Sequence, residues 1–569
     1  MADMTANEQP TEKPERSPLG EEGGPQTRSI EDDRHDSRSG SDADPESQKD
    51  KAESHGLWKL ALITVALCLS VFCVALDNTI IATAIPRITD QFHTLEDVGW
   101  YGSAYLLTTC SFQLIFGNLY NLYAIKWVYL GALFLFELGS VVCAATPSSV
   151  GFVIGRAIAG LGAAGVFSGA LLIINYTVPL RQRPTYMGCI SSMYGIASVA
   201  GPLMGGAFTD HVSWRWCFYI NLPFGAITAS FILIFLQLPP RETQQHDGPS
   251  PRKGLSSFDI EGTIVFIPAI VALLLALQWG GTKYPWSHGC IIALFVVFGV
   301  LIAAFIGIQV WKKERATVPP RVFVERTVWS SAVYSACLGA SFYIVVYYLP
   351  IWFQAIQNSS AVQSGIKNLP MILSVVVLSI ASGAAVSLLG HYAPFMIVSS
   401  VLMAVGAGML STFNVNTGPA AWIGYQILFG VGVGMGTQQA MVAIQVSLGA
   451  QDVAIGTAII IFSQTLGGAV FMGVGQNVFQ NKLVGMIADE HIANLDPASV
   501  VSVGATQVKN LIPEKFLPAV LGAYNGAVIN TFYVAAAMGA FSLVGAIAVP
   551  WNSVKAKPEK QVVTEKEEA

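Results

Sequence analysis

Three ionisable residues, Asp77, Glu137 and Arg156, lie within long apolar stretches of this chain. A charged side chain near the middle of a membrane helix costs about 2.5–3.5 kcal/mol, so such residues are usually kept for function. Burial disfavours the ionised form of a carboxyl group, and Asp77 could therefore bind and release a proton as its surroundings change. The three residues predict a proton-coupling set.

Each of the three residues also has a purely structural interpretation. Asp77 would then hydrogen-bond the backbone of a distorted helix near Asn78 and Thr79. Arg156 would be a fixed clasp between helices, whereas in a functional role it would pair with an acid or with an opened backbone carbonyl. Glu137 would either face water or be held protonated. The residue types alone leave these alternatives open.

A second group of residues could line a cavity for planar or apolar compounds. Its amides are Gln113, Gln354 and Gln438, and its aromatic residues are Tyr343 and Tyr347. Aromatic residues also anchor helices at the membrane interface, and polar residues inside a bundle also bridge helices. We predict a substrate cavity from this set and keep both structural alternatives.

A Gly-Pro pair, Gly201-Pro202, and a Gly-Gly pair, Gly205-Gly206, lie within six residues of one another in a further apolar stretch. Proline removes a backbone donor and kinks a helix, and glycine weakens it. A bilayer tolerates both, because neighbouring helices can approach closely and satisfy the backbone. The pattern predicts a helix that bends or packs very tightly, and a close-packed crossing alone is the structural alternative.

Membrane-spanning helices are needed to position these residues. Of the 569 residues, 53 % are hydrophobic and 12 % are charged, and the mean hydropathy is +0.54. This balance is far from that of a soluble globular protein, and apolar runs repeatedly approach the ~20 residues that span a bilayer. We predict an all-α polytopic membrane protein with fourteen transmembrane helices. Their approximate ranges are 58–81, 97–120, 127–146, 150–176, 184–209, 216–238, 259–279, 289–310, 329–356, 364–389, 393–412, 419–447, 453–480 and 529–550.

The charge of the loops predicts the orientation. An even number of spans places both tails on one side, and the loops on that side carry eleven Lys and Arg against four in the short loops opposite. The positive-inside rule therefore predicts cytoplasmic tails. The sequon Asn358-Ser-Ser then faces outward, and we predict glycosylation of Asn358. About 55 polar residues precede the first span, with no cleavable signal peptide, and predict a disordered tail.

An internal repeat relates the two halves of the chain. The segment Arg156–Gly162 resembles Gln426–Gly432, 270 residues later, and the spacing of Gly117 and Ala124 recurs 266 residues later. We predict two six-helix bundles with two inserted helices between them. The predicted segments are a disordered tail at 1–56, a first bundle at 57–239, cytoplasmic loops and the inserted helices at 240–328, a second bundle at 329–551 with an outer loop at about 483–528, and a cytoplasmic tail at 552–569.

Motifs of enzymes and of ATP-driven pumps are missing from the sequence. We find no P-loop, no Ser/His/Asp arrangement and no metal-ligand spacing, and the eight cysteines are scattered without a CxxC pair. The segment Gly160–Gly165 imitates a dinucleotide-binding pattern, but no strand precedes it, and tight helix packing explains it better. Basic patches of the nucleic-acid-binding kind are also missing. We expect a non-enzymatic protein without a cofactor, a metal or a nucleic-acid partner.

Four stretches of the first half resemble the major facilitator superfamily, specifically its fourteen-helix drug:proton antiporter branch of fungi. Leu76–Pro86 is similar to the first-helix motif of this branch, and Gly155–Ala164 is similar to the fourth-helix motif with its buried arginine. Gly201–Gly206 resembles the fifth-helix antiporter motif. Trp214–Pro223 follows it, as it does in fungal members. The resemblance covers about residues 58–550.

The loop between the second and third spans departs from the family. The usual pattern is Gly-x-Leu-x-Asp-x-x-Gly-Arg-Lys, and here Gly117, Leu119 and Lys126 remain while Asn121 and Ala124 replace the acid and the second glycine. The arginine is also lost. We expect this loop not to form the charged latch that the family pattern implies.

The resemblance implies a proton-coupled antiporter that exports small amphipathic organic compounds, such as drugs or fungal secondary metabolites and toxins. Two bundles would rock about a central site, with proton and substrate binding favouring different states. Asp77 would carry the proton, and Arg156 would take part in proton coupling or hold two helices together. The Gly201–Gly206 stretch would serve as a hinge and packing surface.

The expected partners are a small-molecule substrate, protons and the lipid membrane, and the expected location is the plasma membrane, with the vacuolar membrane as the alternative. The alternative function is an uptake carrier on the same fourteen-helix plan, for instance of the siderophore type. A non-transporting membrane sensor is disfavoured, because the tails are too short and too polar to hold a signalling domain.

Overall fold

A computed structural model of the protein describes residues 45–92, 98–237, 259–281, 283–449, 451–489 and 515–555. The predicted tails before residue 45 and after residue 555, most of the loop that begins at residue 240 and the middle of the predicted outer loop lie outside these ranges. The chain divides into the units Met1–His55 and Gly56–Ala569, and the fold given below is that of the second unit.

The described residues are predominantly α-helical, with one 3-10 helix at Lys313–Arg315 and two isolated β-bridges, and they contain no β-strand, which confirms the predicted all-α class. We number the α-helices in chain order and call the ends that carry the basic loops the cytoplasmic ends. The helices are α1 Pro45–Phe92, α2 Val98–Leu122, α3 Ile125–Ala145, α4 Ser149–Thr177, α5 Arg183–His211, α6 Trp216–Tyr219, α7 Asn221–Phe235, α8 Ile260–Trp279, α9 Gly289–Lys312, α10 Pro320–Val324, α11 Arg326–Ala355, α12 Ala361–Lys367, α13 Leu369–Leu389, α14 Ala393–Leu410, α15 Pro419–Gly436, α16 Gln439–Ser447, α17 Val453–Asp489 and α18 Leu517–Ala548.

Thirteen helical stretches in these ranges are long and apolar enough to cross a membrane. The predicted span that falls short is α2, which has 25 residues and no charged side chain but several polar ones. Thr109 donates a hydrogen bond to the Gly160 carbonyl at 2.9 Å, and Gln113 donates to the Ala164 carbonyl at 3.2 Å. Because α4 satisfies these polar groups, α2 can lie inside the bundle without being strongly apolar, and it is the fourteenth span.

The packing of glycines follows the predicted repeat. On α4, Gly160 lies against the backbone of α2 and Gly162 against the backbone of α3. On α15, Gly430 lies against the backbone of α13 and Gly432 against the backbone of α14. A Cβ atom at any of the four positions would collide with backbone atoms, so glycine permits these close helix crossings. The fourth helix of each half therefore packs on the second and third helices of its own half.

The two inserted helices form a hairpin outside the halves. Helix α8 packs on α17 and α2, where the rings of Phe266 and Phe462 lie 5.5 Å apart and Gln278 donates to the Ser103 hydroxyl at 3.0 Å. Helix α9 packs mainly on α8. Only 11 % of its most apolar window is buried, and that window has a hydropathy of 3.1, above those of the other spans in the described ranges. A surface this apolar and this exposed fits direct contact with lipid.

Some helix boundaries differ from the predicted ones. The predicted span 419–447 consists of α15 and α16, which are interrupted at Thr437-Gln438. Helix α17 continues to Asp489 and α18 already begins at Leu517, so both described ends of the predicted outer loop are helical. The sequence pattern missed these extensions because their polar residues end the apolar run without ending the helix.

Candidate functional site

A buried ion pair joins the first and fourth helices. A terminal nitrogen of Arg156 on α4 donates to the carboxylate of Asp77 on α1, and neither side chain is exposed to solvent. The Nε atom of Arg156 donates to the Tyr101 carbonyl at 2.8 Å, and the guanidinium lies 4.4 Å from the centre of the Tyr105 ring. Its Nη2 atom has no hydrogen-bond partner. The arginine therefore pairs both with an acid and with a backbone carbonyl, as the sequence analysis allowed.

Asn221, at the start of α7, connects this pair to the third helix. Its side-chain amide lies 3.4 Å from the second carboxylate oxygen of Asp77 and donates to the Ser140 hydroxyl at 3.1 Å. Asn221 was not among the residues predicted from the sequence, although it lies in the Trp214–Pro223 motif. An amide at the start of an otherwise apolar span was the available signal, since such a group needs a partner inside the bundle.

Glu137 lies on α3, one turn before Ser140. Both of its carboxyl oxygens are buried and have no hydrogen-bond partner. The carboxyl group packs against Gly225 of α7, where a Cβ atom would collide with it. Glu137 is thus close to the Asp77 network and outside its hydrogen bonds.

A cavity of about 100 Å³ lies between the two halves. Of the predicted cavity residues, Gln113, Tyr343 and Gln438 line it, whereas Tyr347 and Gln354 do not. Tyr347 lies one turn beyond Tyr343 toward the outer end of α11 and is 42 % exposed. Known ligand pockets measure ~300–1,000 Å³, so a substrate of drug size requires these helices to separate. The full lining is Val74, Asn78, Tyr105, Leu106, Thr109, Gln113, Ala163, Phe167, Leu171, Ser191, Tyr194, Gly195, Leu338, Phe342, Tyr343, Val375, Val433, Thr437, Gln438, Met441, Ile461, Gln464 and Thr465.

The interruption between α15 and α16 contributes to the cavity wall. Thr437 and Gln438, the two residues of the interruption, both line the cavity. Gln438 is only 2 % exposed, and its side-chain oxygen has no hydrogen-bond partner. Broken membrane helices commonly border substrate sites, because irregular backbone is tolerated where it faces a cavity.

The Gly-Pro and Gly-Gly stretch lies on α5, which runs through Pro202 without interruption. Gly201 packs against Thr79 of α1, and a Cβ atom there would lie 3.0 Å from the Ile80 nitrogen. Thr79 also donates to the Ala197 carbonyl at 2.9 Å. Gly205 is buried, whereas a Cβ atom at Gly206 would meet nothing within 4 Å. The close approach of α5 to α1 is therefore at Gly201.

The halves meet closely at their cytoplasmic ends. Gly117 of α2 packs directly on Ala458 of α17. The hydroxyl groups of Thr185 on α5 and Ser387 on α13 lie 3.1 Å apart, and Arg181 donates to the Ser387 carbonyl at 3.3 Å. These contacts close the cytoplasmic side of the cavity in this conformation.

The loop that departs from the family pattern has a different contact. Lys126 donates from its ammonium group to the carbonyls of Leu233 and Leu236, at 2.8 and 3.0 Å. These carbonyls lie at the end of α7, where the last carbonyls of a helix lack partners within it. Lys126 therefore ties α3 to the end of α7 within the first half.

A metal site is not formed by the residues that the structure describes, since they contain no group of three or more His, Cys, Asp or Glu that could hold an ion. The polar groups of the site are instead amides, hydroxyls, one ion pair and one further acid.

Comparison with known families and proteins gives a consistent result. Residues 67–472 match the model of the Major Facilitator Superfamily. The chain is 58 % identical over 499 residues to the MFS-type efflux pump MFS1 of Trichophyton rubrum, a match that covers 88 % of this chain and 92 % of that protein. It is 53 % identical over 498 residues to the efflux pump aflT of Aspergillus parasiticus, covering 87 % of this chain and 96 % of the pump.

Two solved structures have a similar fold. The human organic anion transporter MFSD10 superposes with a TM-score of 0.55 and 13 % identity, covering 84 % of this chain and 99 % of the transporter. The proton:xylose symporter XylE superposes with a TM-score of 0.56 and 14 % identity, covering 88 % of this chain and 98 % of the symporter. At such identities the likeness concerns the fold alone.

Proposed function

Because the chain belongs to the major facilitator superfamily, we propose that it is a proton-coupled efflux transporter for small amphipathic organic compounds, such as drugs or fungal secondary metabolites and toxins. One observation carries the direction of transport: relatives at 58 % and 53 % identity, matched over nearly nine tenths of the chain, are named efflux pumps. The protein acts in the plasma membrane, where export removes a compound from the cell, and it performs transport rather than catalysis.

The central cavity supports alternating access. Its lining comes from both halves, for example from Gln113 of the first and Tyr343 of the second. A rocking motion of the halves would open such a site to one side of the membrane at a time. The contact of Gly117 with Ala458 closes the cytoplasmic side, so the cavity is not open to the cytoplasm in this conformation.

Asp77 is the proposed proton carrier, and its pairing with Arg156 suggests how protonation acts. A proton on Asp77 removes the negative partner of the buried guanidinium, which then retains the Tyr101 carbonyl and the face of the Tyr105 ring. Because Tyr105 lines the cavity, a shift of Arg156 changes the shape of the cavity wall. Proton binding and substrate binding are in this way linked through one aromatic side chain.

Glu137 is the proposed second member of the coupling set. A buried carboxylate without a hydrogen bond or a counter-charge is costly, and both oxygens of Glu137 lack partners. Its position one turn from Ser140 puts it next to the Asn221 network that reaches Asp77. We assign Glu137 the role of exchanging a proton with this network when the helices move.

The Gly201–Gly206 stretch is the proposed moving contact between α5 and α1. Gly201 allows the close approach to Thr79, which in turn holds the Ala197 carbonyl. Pro202 follows at once and lacks the N–H group that would tie it to the preceding turn. Because Pro202 donates no backbone hydrogen bond, α5 can bend there, and the small residues at its contact with α1 allow the two helices to slide past each other. Rocking of the halves requires such movements.

An efflux assay tests the proposed function. The full chain is expressed in a host strain that lacks its own drug pumps, and cellular accumulation is measured across a chemically varied panel of compounds. We expect expression to lower the accumulation of several amphipathic compounds and a protonophore to abolish that effect. Increased accumulation on expression would contradict export and would indicate an uptake carrier.

A further inference from the structure

The lining of the cavity contains aromatic rings and neutral polar groups. Tyr105, Phe167 and Tyr194 contribute rings from the first half, and Phe342 and Tyr343 contribute rings from the second. None of the lining residues that the structure describes is Asp, Glu, Lys, Arg or His. Rings on opposite walls can sandwich a planar molecule, because aromatic pairs favour stacked or edge-to-face contacts.

Because the cavity offers no free counter-charge, it disfavours the binding of ionic substrates. The acid of the nearby ion pair, Asp77, is buried and already neutralised by Arg156, and the Tyr105 ring contacts the guanidinium from the cavity wall. An organic cation in the cavity would therefore lack a free counter-charge, and burying an unpaired charge costs several kcal/mol. The same cost applies to an organic anion, because Arg156 is already paired.

Two polar groups of the cavity lining have an unfilled hydrogen-bond site: one is the Ser191 hydroxyl, which can both donate and accept, and the other is Gln438. The Gln438 side-chain oxygen is buried without a partner, at the interruption between α15 and α16. By contrast, Gln113 donates to the Ala164 carbonyl, and the Thr437 hydroxyl donates to the Val433 carbonyl at 2.7 Å. An acceptor that is buried and unsatisfied gains from a ligand that brings a donor. A site of this kind also rejects analogues that lack the donor.

We propose that the cavity takes uncharged aromatic molecules that carry a hydroxyl or N–H donor, and that the Gln438 oxygen accepts this hydrogen bond and sets the specificity. The inference rests on the proposed export function and narrows its substrate class. Stacking by rings such as Tyr194 and Tyr343 supplies affinity, and Gln438 distinguishes a donor-bearing molecule from its ether. The lining supplies no counter-charge, so a quaternary ammonium compound would have only the faces of these rings to stabilise its charge, and we expect it to bind more weakly.

Three matched probes test this inference: a trihydroxyanthraquinone, its fully methylated ether and an anthraquinone with a quaternary ammonium group. Binding is measured on the purified full-length protein in lipid nanodiscs, at a pH at least one unit below the first pKa of the hydroxylated probe, so that this probe is un-ionised. Export of the same probes is measured in the pump-deficient host. We expect the hydroxylated probe to bind about tenfold more tightly than its ether, as one hydrogen bond allows, and the quaternary probe to bind more weakly than both.

Gln438→Leu removes the acceptor at nearly constant volume. We expect it to abolish the preference for the hydroxylated probe over its ether. The matched control is Gln439→Leu, because Gln439 is buried at the next position, lies outside the cavity lining and donates to the Met435 carbonyl at 3.0 Å. This control should retain the preference.

Equal binding of phenol and ether by the wild type, or a preference that survives in Gln438→Leu, would overturn the inference. Tight binding and export of the quaternary probe would overturn it while leaving export itself intact. A failure of export for every probe and panel compound would instead count against the proposed function, and the binding preference would still decide the chemistry of the cavity.

Discussion

The guanidinium carbon of Arg156 lies 4.4 Å from the centre of the Tyr105 ring, and the same ring lines the central cavity. Arg156 also pairs with Asp77, so a single aromatic side chain contacts both the buried charges and the space between the halves. A buried cation over an aromatic face is stabilised by about 2 kcal/mol. This contact is a direct physical link between the buried ion pair and the cavity.

Substitution of Tyr105 tests that link. Tyr105→Leu removes the ring that holds Arg156, and we expect pH-gradient-driven efflux to fall about tenfold or more, in line with the stabilisation lost. Tyr105→Phe keeps the ring and removes only the hydroxyl, which donates to the Val74 carbonyl at 3.2 Å. Phe should therefore retain most of the activity. Equal losses in the two variants, at matched surface expression, would assign the role to the hydroxyl and not to the ring.

The crossing of α5 and α1 is tested with a pair of glycines on one helix. A valine at Gly201 would collide with Thr79 and with the Ile80 backbone, whereas a valine at Gly206 meets open space. Overpacking of this kind typically costs about 1–3 kcal/mol. We expect Gly201→Val to impair transport strongly and Gly206→Val to have little effect, as measured by efflux normalised to surface protein. Normal transport by Gly201→Val would exclude a required close contact here.

The cytoplasmic ends of the inserted helices are joined at Asp259, whose carboxylate is buried. It accepts hydrogen bonds from Gly262 at 2.9 Å, from the Gln309 amide at 2.7 Å and from the Thr317 backbone at 3.1 Å, and Lys312 lies 3.1 Å away. Burial alone raises the pKa of Asp259, but these donors favour the ionised form and together lower the pKa below its ordinary value.

The lowered pKa predicts a pH-dependent stability. Because the pKa of Asp259 is lower in the folded state than in the unfolded state, the stabilisation is present above about pH 4 and is lost as the pH falls through the folded value. We expect Asp259→Asn to lower the free energy of unfolding by about 2 kcal/mol at neutral pH. The difference should shrink in thermal melts at about pH 3.

A neighbouring acid provides the control for this prediction. Glu261 contacts the same Lys312 but is 64 % exposed. An exposed pair contributes only about 0–1 kcal/mol, so Glu261→Gln should change the melting temperature little at either pH. A loss in Asp259→Asn that is the same at both pH values would show that the carboxylate charge is not what stabilises this end.

The sequon at Asn358 is exposed and begins just before α12, in a segment predicted to face outward. Asn358 has φ = 55°, a conformation that asparagine tolerates better than most residues. We expect the protein from a eukaryotic host to shift in mass on endoglycosidase treatment, and Asn358→Gln to abolish the shift. Ser360→Thr preserves both the sequon and the cap of α12 and should keep the glycan. A shift that persists in Asn358→Gln would locate the glycan elsewhere.

From the sequence we expected Arg156 to pair with an acid or with a backbone carbonyl, but the sequence did not identify Asp77 as the acid, nor which helix faces line the cavity. An isolated charge in a membrane helix must find a partner, so composition alone restricts the outcome. The wall of the cavity depends on how each helix is rotated. Because these helices are apolar on nearly every side, no amphipathic period marks the face that turns inward. Of the residues predicted for the cavity, Gln438 lies in its lining, whereas Tyr347 and Gln354 lie outside it.

Two features of the site were not predicted from the sequence because they depend on tertiary packing or on a local break in a helix. Asn221 joins Asp77 to Ser140 across three helices, a relationship that depends on the tertiary packing and not on spacing along the chain. The interruption at Thr437-Gln438 lies in a glycine-rich apolar segment whose hydropathy predicts a single uninterrupted span. By contrast, the repeat was visible in the sequence, because glycines that face a neighbouring backbone can be replaced by little else.

Proton coupling through Asp77 is tested by measuring transport by Asp77→Asn in proteoliposomes with an imposed pH gradient. The variant keeps a hydrogen-bond acceptor for Arg156 but can no longer exchange a proton. We expect uphill transport driven by the pH gradient to fall to background, while exchange of labelled for unlabelled substrate without a gradient continues. Uphill transport by Asp77→Asn at the wild-type rate, still dependent on the pH gradient, would contradict proton coupling through this residue.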